Sequence, residues 1–254
     1  MRRVPREILG TVDHRPWTIP KRSWVQRQSW EDFLFCHWPV PVDVLRERVP
    51  RALDLDLWEG EAWIAVIPFH MSGVTLRGLP DMPRFSAFPE LNVRTYVKVG
   101  DRRGVYFLSL EADNRLAVTL ARRWYGLNYM RARMSWGRDG DAISFRSHRI
   151  QPGAPPADYE ARYAWTGPDW FAPKGSFEAW ATERYGLYVV DRRERVWTGE
   201  VHHHPWPLRN AEVEIRTNTM ALSHGIVLPD TPPHVLYSPR VDVVVWNPAL
   251  VPPA

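Results

Sequence analysis

The chain has 254 residues, 44% of them hydrophobic, which is enough for one large domain or two small ones with a sizeable core. Its 33 basic and 29 acidic residues give a net charge of +4, but they are interleaved along the chain rather than gathered into the stripe typical of nucleic-acid binding. No stretch reaches the roughly 18 apolar residues of a membrane helix, and polar residues at 13–16 interrupt the pattern of a signal peptide. We therefore expect a cytoplasmic protein with neither nucleic acid nor a membrane as its partner.

Runs rich in β-branched and aromatic residues predict strands along most of the chain. We expect an N-terminal arm over residues 1–28 and a single domain over residues 29–254. The predicted strands are, in order, 32–38, 62–71, 91–99, 104–112, 129–136, 142–150, 185–191, 195–204, 211–217 and 240–246. The arm and the proline-containing segments 78–89 and 151–158 are the least ordered candidates.

Helices are predicted at four places only. They cover 41–49, a stretch from Asp113 or Asn114 to Tyr125, a segment that begins near Ser176, and a short piece within 217–225. The combination predicts a mostly antiparallel α+β protein: a large curved sheet, a closed β-barrel or a sandwich, with a few short helices.

A polar row runs along the predicted strand in FPELNVRTYV, at 88–97. Because side chains alternate in a strand, Glu90, Asn92 and Arg94 share one face, and the apolar residues between them point to the other. A carboxylate, an amide and a guanidinium in one row either line a pocket or meet solvent, and periodicity leaves both open.

A second row follows the turn YGLN, where Tyr129 and Arg131 share a strand face. If both rows turn into one cavity, they form a site for acid–base chemistry in which Glu90 and Tyr129 exchange protons. Arg94 and Arg131 would then hold a carboxylate of the substrate. The alternative is a buried Glu–Arg pair with a structural role only.

The segment EVHHHPW, at 200–206, places Glu200, His202 and His204 on one strand face. A His-x-His pair at this spacing can ligate one divalent metal ion. Histidines near a strand end also cap hydrogen bonds or meet solvent, and no ligand at a fixed spacing accompanies them. We predict no cofactor and keep these three residues as metal candidates only.

Two further polar positions have structural explanations. The charges of TERY, at 182–185, either reach the pocket or form a local surface pair, and we favour the surface pair. His37, a lone strand histidine, is more typical of a structural residue than of a base.

Several of these segments also carry a resemblance. The order of a strand, GVYFLSLEADN, an amphipathic helix and YGLNYM resembles the core of the acetoacetate decarboxylase-like superfamily. From about Trp30 to Trp246 the chain resembles the bacterial YqjF-like family of that superfamily, through HWPVP, FPELNVRTYV, GVYFLSL, NRLAV, TERY, HHPWPL and NTMA. The resemblance implies a curved sheet or β-barrel with an internal pocket for a small molecule, and it leaves a homo-oligomer as an option.

The resemblance supplies a chemical test at the turn that follows the second helix. In the decarboxylase this turn presents two adjacent lysines, and the first forms a Schiff base while its neighbour lowers its pKa. The matching positions here are Tyr129 and Met130, which we expect at the pocket. Schiff-base decarboxylation is therefore not expected, whereas Glu90 matches a pocket glutamate of the decarboxylase.

Three functions fit this sequence. The first is an acid–base lyase or isomerase acting on a keto or carboxylic acid, and the second is a non-catalytic binding or sensor protein for a small ligand. The third and weaker one is a metal-dependent enzyme that uses the histidine row. For the first we name Glu90 and Tyr129 as catalytic groups, and as substrate contacts Asn92, Arg94, Met130 and Arg131.

Overall fold

A computed structural model describes residues 5–79, 86–114 and 126–252. Three short α-helices lie in this part of the chain: α1 (Pro5–Leu9), α2 (Val42–Arg46) and α3 (Phe177–Thr182). The strands are β1 (Gln26–Val40), β2 (Asp54–Leu55), β3 (Ala62–Leu76), β4 (Phe88–Val99), β5 (Arg102–Ala112), β6 (Tyr129–Asp139), β7 (Ala142–Arg149), β8 (Asp158–Trp170), β9 (Gly186–Val190), β10 (Val196–His202), β11 (Leu208–Asn218), β12 (His234–Val245) and β13 (Ala249–Leu250). None of the helices in the described ranges has the length and apolar character needed to cross a membrane.

The strands form one sheet in the order β13-β10-β9-β5-β6-β7-β8-β11-β12-β1-β3-β4-β2, with additional pairings between β10 and β12 and between β4 and β5. Nearly all neighbours are antiparallel; β5 pairs in parallel with β6 and β9. Pairing therefore runs in a closed ring through β10, β9, β5, β4, β3, β1 and β12. The predicted mostly antiparallel fold is confirmed, and its strands are arranged in a ring.

Strands β1, β3, β4 and β5 form a wall between two apolar cores. On β4, Leu91 and Val93 point into the larger core, which also contains side chains of β6, β7 and β8. Residues on the other face of the wall, such as Phe35 and Phe69, pack in a second core with side chains of β10 and β12. The alternating side chains of β4 thus point toward two different cores. Neither face of β4 meets bulk solvent between Glu90 and Val97.

A bulge in β5 changes which of its residues face each core. Arg94 lies opposite Phe107 and Val93 opposite Ser109, so Leu108 is the extra residue in the ladder. As a result Phe107 and Leu110, three positions apart, both line the same cavity.

The helix predictions have mixed outcomes. The predicted helix at 41–49 is confirmed as the shorter α2, and the one near Ser176 is confirmed as α3, where the Ser176 side chain accepts a hydrogen bond from the Ala179 backbone N–H. The piece within 217–225 is a single 3₁₀ turn. The helix expected up to Tyr125 falls on 115–125, outside the described residues.

Residues 5–25 of the N-terminal arm, which the sequence places among the least ordered candidates, contact the rest of the chain. This segment contains α1, and Ile8 is buried against Val244 and Trp246 of the sheet. Strand β8 was also missed, because its apolar positions alternate with charged ones and it contains Gly167 and Pro168. It nevertheless pairs along its length with β7 and β11.

Candidate functional site

A cavity of about 140 Å³ opens inside the ring of strands, beside the second core. Its wall is mostly apolar and aromatic, and seven polar or charged side chains from β1, β4, β6 and the segment after α3 interrupt it. They are Gln26, Gln28, Glu90, Asn92, Arg94, Tyr129 and Arg184. An engineered cavity of about 150 Å³ holds benzene, so the space fits a ligand of similar size.

Glu90 and Tyr129 meet in this cavity from two different strands. The Tyr129 hydroxyl donates a hydrogen bond to Glu90 Oε2 over 3.0 Å, and both side chains are buried. Burial raises the pKa of Glu90 to about 8; the hydrogen bond from Tyr129 opposes this shift, and the charge of Glu111 adds to it. The Glu90 carboxyl is thus largely protonated at neutral pH and close to the pKa useful for proton transfer.

Asn92 and Arg94 follow Glu90 along the same face of β4, as the sequence predicted. Arg94 donates from Nη2 to the Ala181 carbonyl over 3.1 Å and lies over the rings of Phe35 and Tyr96. Asn92 Oδ1 and Arg94 Nε have no hydrogen-bond partner among the described residues although both atoms are buried. Arg94 forms no ion pair with Glu90, so the structural Glu–Arg pair considered from the sequence is absent from the described part of the chain.

Arg184 reaches the cavity, which was the less favoured of the two alternatives for TERY, and the favoured surface pair is wrong. Its guanidinium is buried, donates from Nη1 to Asp56 over 2.6 Å and lines the cavity. Sequence offered little signal for this placement, since Asp56 lies 128 positions earlier in the chain.

Two of the predicted substrate contacts lie elsewhere. Met130 and Arg131 are half-buried at the start of β6, and neither belongs to the cavity wall. Strand geometry explains part of this result: Tyr129 faces the cavity, whereas from Ala132 onward the alternate residues of β6 point into the larger core.

The histidine row contacts the N-terminal arm. His202 Nε2 hydrogen-bonds the Ile8 carbonyl over 2.9 Å, His204 Nε2 lies 3.4 Å from the Glu7 carbonyl, and Glu200 accepts from Arg15 over 3.1 Å. A ring nitrogen that donates to a carbonyl carries a proton and cannot ligate a metal. The described residues contain no group of three or more side chains arranged for a metal ion.

The lysines and His37 stay outside the cavity as well. Lys21, Lys98 and Lys174, the only lysines of the chain, are all exposed. His37 is buried and its Nε2 lies 2.6 Å from the Tyr96 hydroxyl, and burial holds its pKa well below the ordinary value. Neither group is placed to act as a nucleophile or a base at the cavity.

The fold is that of the acetoacetate decarboxylase-like proteins. A structure of acetoacetate decarboxylase matches 98% of this chain and 98% of its own at a TM-score of 0.61 and 14% identity. The enduracididine biosynthesis enzyme MppR, in a structure with pyruvate, matches 94% of this chain and 93% of its own at a TM-score of 0.62 and 12% identity. Acetoacetate decarboxylase from Legionella pneumophila matches 94% of this chain and 93% of its own, with a TM-score of 0.61 and 10% identity.

Within that fold, the chain belongs to the DUF2071 family of uncharacterized conserved proteins, whose family model matches residues 27–242. It is 44% identical over 229 residues to the uncharacterized protein YqjF of Bacillus subtilis strain 168, covering 90% of this chain and 93% of that protein. The resemblance read from the sequence is confirmed at both levels.

Proposed function

We propose that the protein catalyses acid–base chemistry on a small keto acid, with Glu90 as the group that exchanges protons and Tyr129 as the phenol that hydrogen-bonds and tunes it. The observation that carries the proposal is a buried carboxyl with a pKa of about 8, hydrogen-bonded to a phenol at 3.0 Å inside a cavity of ligand size. Raised carboxyl pKa values in a cavity are typical of acid–base sites.

The step that fits these groups is enolisation. Ionised Glu90 takes a proton from the carbon next to the ligand's carbonyl, the C–H electron pair becomes the C=C bond of the enolate, and the carbonyl π pair moves onto oxygen. Where a further C=C bond is conjugated with the enolate, return of the proton to the far carbon of that bond gives an isomer. Where the carbon next to the deprotonated one carries a leaving group, that group departs with its electron pair and gives an elimination product. Tyr129 hydrogen-bonds the carboxyl and tunes its basicity.

A keto acid is the substrate class that suits the charges of the cavity. Arg94 supplies a cation on the same strand face as Glu90, with Asn92 between them. At about 3.3 Å per residue, Glu90 and Arg94 are separated by roughly 13 Å along the backbone, so a ligand between their side chains has its carboxylate and its reacting carbon at different ends. Pyruvate in the MppR structure is a precedent for a small keto acid in this fold.

The test is exchange of ligand protons in D₂O, followed by the ¹H NMR signals next to the carbonyl of pyruvate and 2-oxobutyrate. We expect exchange well above the buffer rate, rising with pH and levelling off above about pH 8 as Glu90 becomes ionised. Glu90→Gln should abolish this acceleration, and Tyr129→Phe should reduce it, since a positioned acid–base group contributes roughly 10²–10⁴-fold.

Glu183→Gln is the matched control for this experiment. Glu183 is half-buried and desolvation raises its pKa, but it is not part of the cavity wall. Exchange that survives in Glu90→Gln, or that is lost equally in Glu183→Gln, would contradict the assignment.

A non-catalytic binding or sensor protein is the second candidate, supported by the largely apolar and aromatic lining of the same cavity. Binding of the keto acids without proton exchange by the wild-type protein would favour this function over the enzyme. The cytoplasmic location and a homo-oligomeric assembly stay predictions from the sequence.

A further inference from the structure

Two guanidinium groups of the cavity wall contact the same aromatic ring, although they come from distant parts of the chain. Arg94 projects from β4, and Arg184 follows α3. Both groups lie against the ring of Tyr96, with Cζ 5.6 Å and 4.8 Å from the ring centroid, and both residues line the cavity. The backbone around α3 also holds both, because Arg94 donates to the Ala181 carbonyl and Arg184 to the Trp180 carbonyl.

The Arg184 side chain is fixed on all but one side. Nη1 donates to Asp56 over 2.6 Å, Nε donates to the Trp180 carbonyl over 2.5 Å, and the guanidinium lies 4.7 Å from the centroid of the Trp180 ring. Nη2 is buried and has no hydrogen-bond partner among the described residues. A planar guanidinium held in this way is preorganised to bind an anion through its remaining nitrogen.

Among the described residues, a carboxylate balances the charge of only one of these two guanidinium groups. Asp56 compensates Arg184, whereas Arg94 has no carboxylate within ion-pair distance among the described residues. A buried cation without a counter-charge is costly, and an anionic group of the ligand would remove that cost.

The rest of the cavity suits an apolar tail. Its wall includes Phe33, Phe69, Leu110, Leu127, Val201 and Trp206, and Arg94 and Arg184 are the only cationic residues in the described wall. A second carboxylate on the ligand would therefore be buried with no cation beside it in the described wall. The volume of about 140 Å³ fits a ligand of about the size of benzene.

We propose that Arg94 and Arg184 together form the carboxylate subsite of this cavity, and that the cavity selects monocarboxylates with a short apolar tail over dicarboxylates. This inference rests on the proposed function in placing the ligand in this cavity. It concerns affinity rather than turnover, so the two can fail separately.

Isothermal titration calorimetry with a ligand series tests the selectivity. We expect 2-oxobutyrate to bind about fourfold more tightly than pyruvate, because each buried methylene contributes about 0.8 kcal/mol. The dicarboxylate 2-oxoglutarate should bind at least about tenfold more weakly than 2-oxobutyrate. Equal or tighter binding of 2-oxoglutarate would overturn the selectivity.

Two sets of variants test the subsite itself. Arg94→Gln removes the cation that lacks a carboxylate partner, and the double variant Asp56→Asn/Arg184→Gln removes the second cation without leaving Asp56 as a buried, unpaired charge. Each should weaken 2-oxobutyrate binding by about tenfold or more, the usual loss for a hydrogen bond to a charged group. Binding of the neutral ketone butan-2-one should stay within about twofold of wild type, since it has no carboxylate to lose.

Arg149→Lys controls for general effects of altering a buried arginine. Arg149 is as buried as Arg184 and pairs with Glu111, outside the cavity wall. If both variant sets bind 2-oxobutyrate like wild type, or if Arg149→Lys weakens it as much, the subsite is wrong even where proton exchange at Glu90 persists. Conversely, tenfold losses without any exchange in the wild-type protein would support the subsite and reject the enzymatic function.

Discussion

Glu90 couples the proposed chemistry to the stability of the protein. Its pKa is raised from 4.5 to about 8 in the folded state, chiefly by burial, so the folded protein holds the Glu90 proton more tightly than the unfolded chain does. Stabilisation from this group is therefore complete below about pH 4.5 and is lost as pH rises through about 8. The shift corresponds to a free energy on the order of 5 kcal/mol, since one pKa unit is about 1.4 kcal/mol.

Glu90→Gln should flatten this dependence. The free energy of unfolding of the wild-type protein, measured by urea denaturation, should fall between about pH 5 and pH 8 more steeply than that of the variant. Glu61→Gln is the control, because Glu61 is exposed. The same slope in Glu90→Gln as in wild type would mean that Glu90 is not the group that titrates.

The residues of the cavity differ in whether the sequence predicts them. Strand alternation and a turn are local patterns, and they place four predicted residues at the cavity: Glu90, Asn92, Arg94 and Tyr129. Arg184 is placed there by Asp56 and by the ring of Trp180, and nothing within a few residues of TERY reveals a carboxylate 128 positions away. Burial of a charge depends on such distant partners.

Strands β5 and β9 approach each other closely at Gly104. A Cβ on Gly104 would lie 2.6 Å from the Gly186 carbonyl oxygen and 2.7 Å from Tyr188 Cε2. The contact involves backbone, which has little room to move, and Gly186 and Leu187 of the same strand line the cavity. The parallel pairing of these strands thus requires glycine at 104.

Gly104→Ala should destabilise the protein by about 1–3 kcal/mol through overpacking. For a chain of this size that corresponds to a decrease in Tm of roughly 2–12 °C, measurable by circular dichroism. Gly137→Ala in β6 is the matched control, because nothing lies within 4 Å of its added Cβ. A Tm for Gly104→Ala equal to that of the control would show that β9 is not held against β5.

Strand prediction succeeded where β-branched and aromatic residues form runs of strand length. All ten predicted strands are present, because each combines β-branched or aromatic residues with a length typical of strands. The bulge at Leu108 could not be predicted, because no glycine or charged residue lies beside Leu108 in the sequence. The bulge puts Phe107 and Leu110 on the same face of β5. Strand β8 was missed because its buried tyrosines alternate with charges in a pattern that also fits a surface loop.

The N-terminal arm packs against strand β10 through Arg15 and Trp17. Arg15 is buried, donates to the Val201 carbonyl over 2.6 Å and pairs with Glu200 over 3.1 Å, while Trp17 donates to the same carboxylate over 3.0 Å. The arm therefore covers the strand that supplies Val201 to the cavity wall.

Arg15→Gln should lower the free energy of unfolding by about 3 kcal/mol, because it leaves Glu200 without its buried partner. It should also increase amide hydrogen exchange in the arm, measured by mass spectrometry. The exposed Arg22 provides the comparison, and Arg22→Gln should stay within about 0.5 kcal/mol of wild type. Unchanged exchange in the arm of Arg15→Gln would contradict the anchoring role.

Strand β4 lies between the two apolar cores, and its two faces have different roles. Leu91 and Val93 fill the larger core and have to keep their volume, while Glu90, Asn92 and Arg94 border the cavity. Three positions, 90, 92 and 94, can therefore be exchanged for other polar residues without repacking the larger core. A protein built in this way can acquire a new reaction through substitutions on one row of a single strand, and redesign of this cavity should begin there.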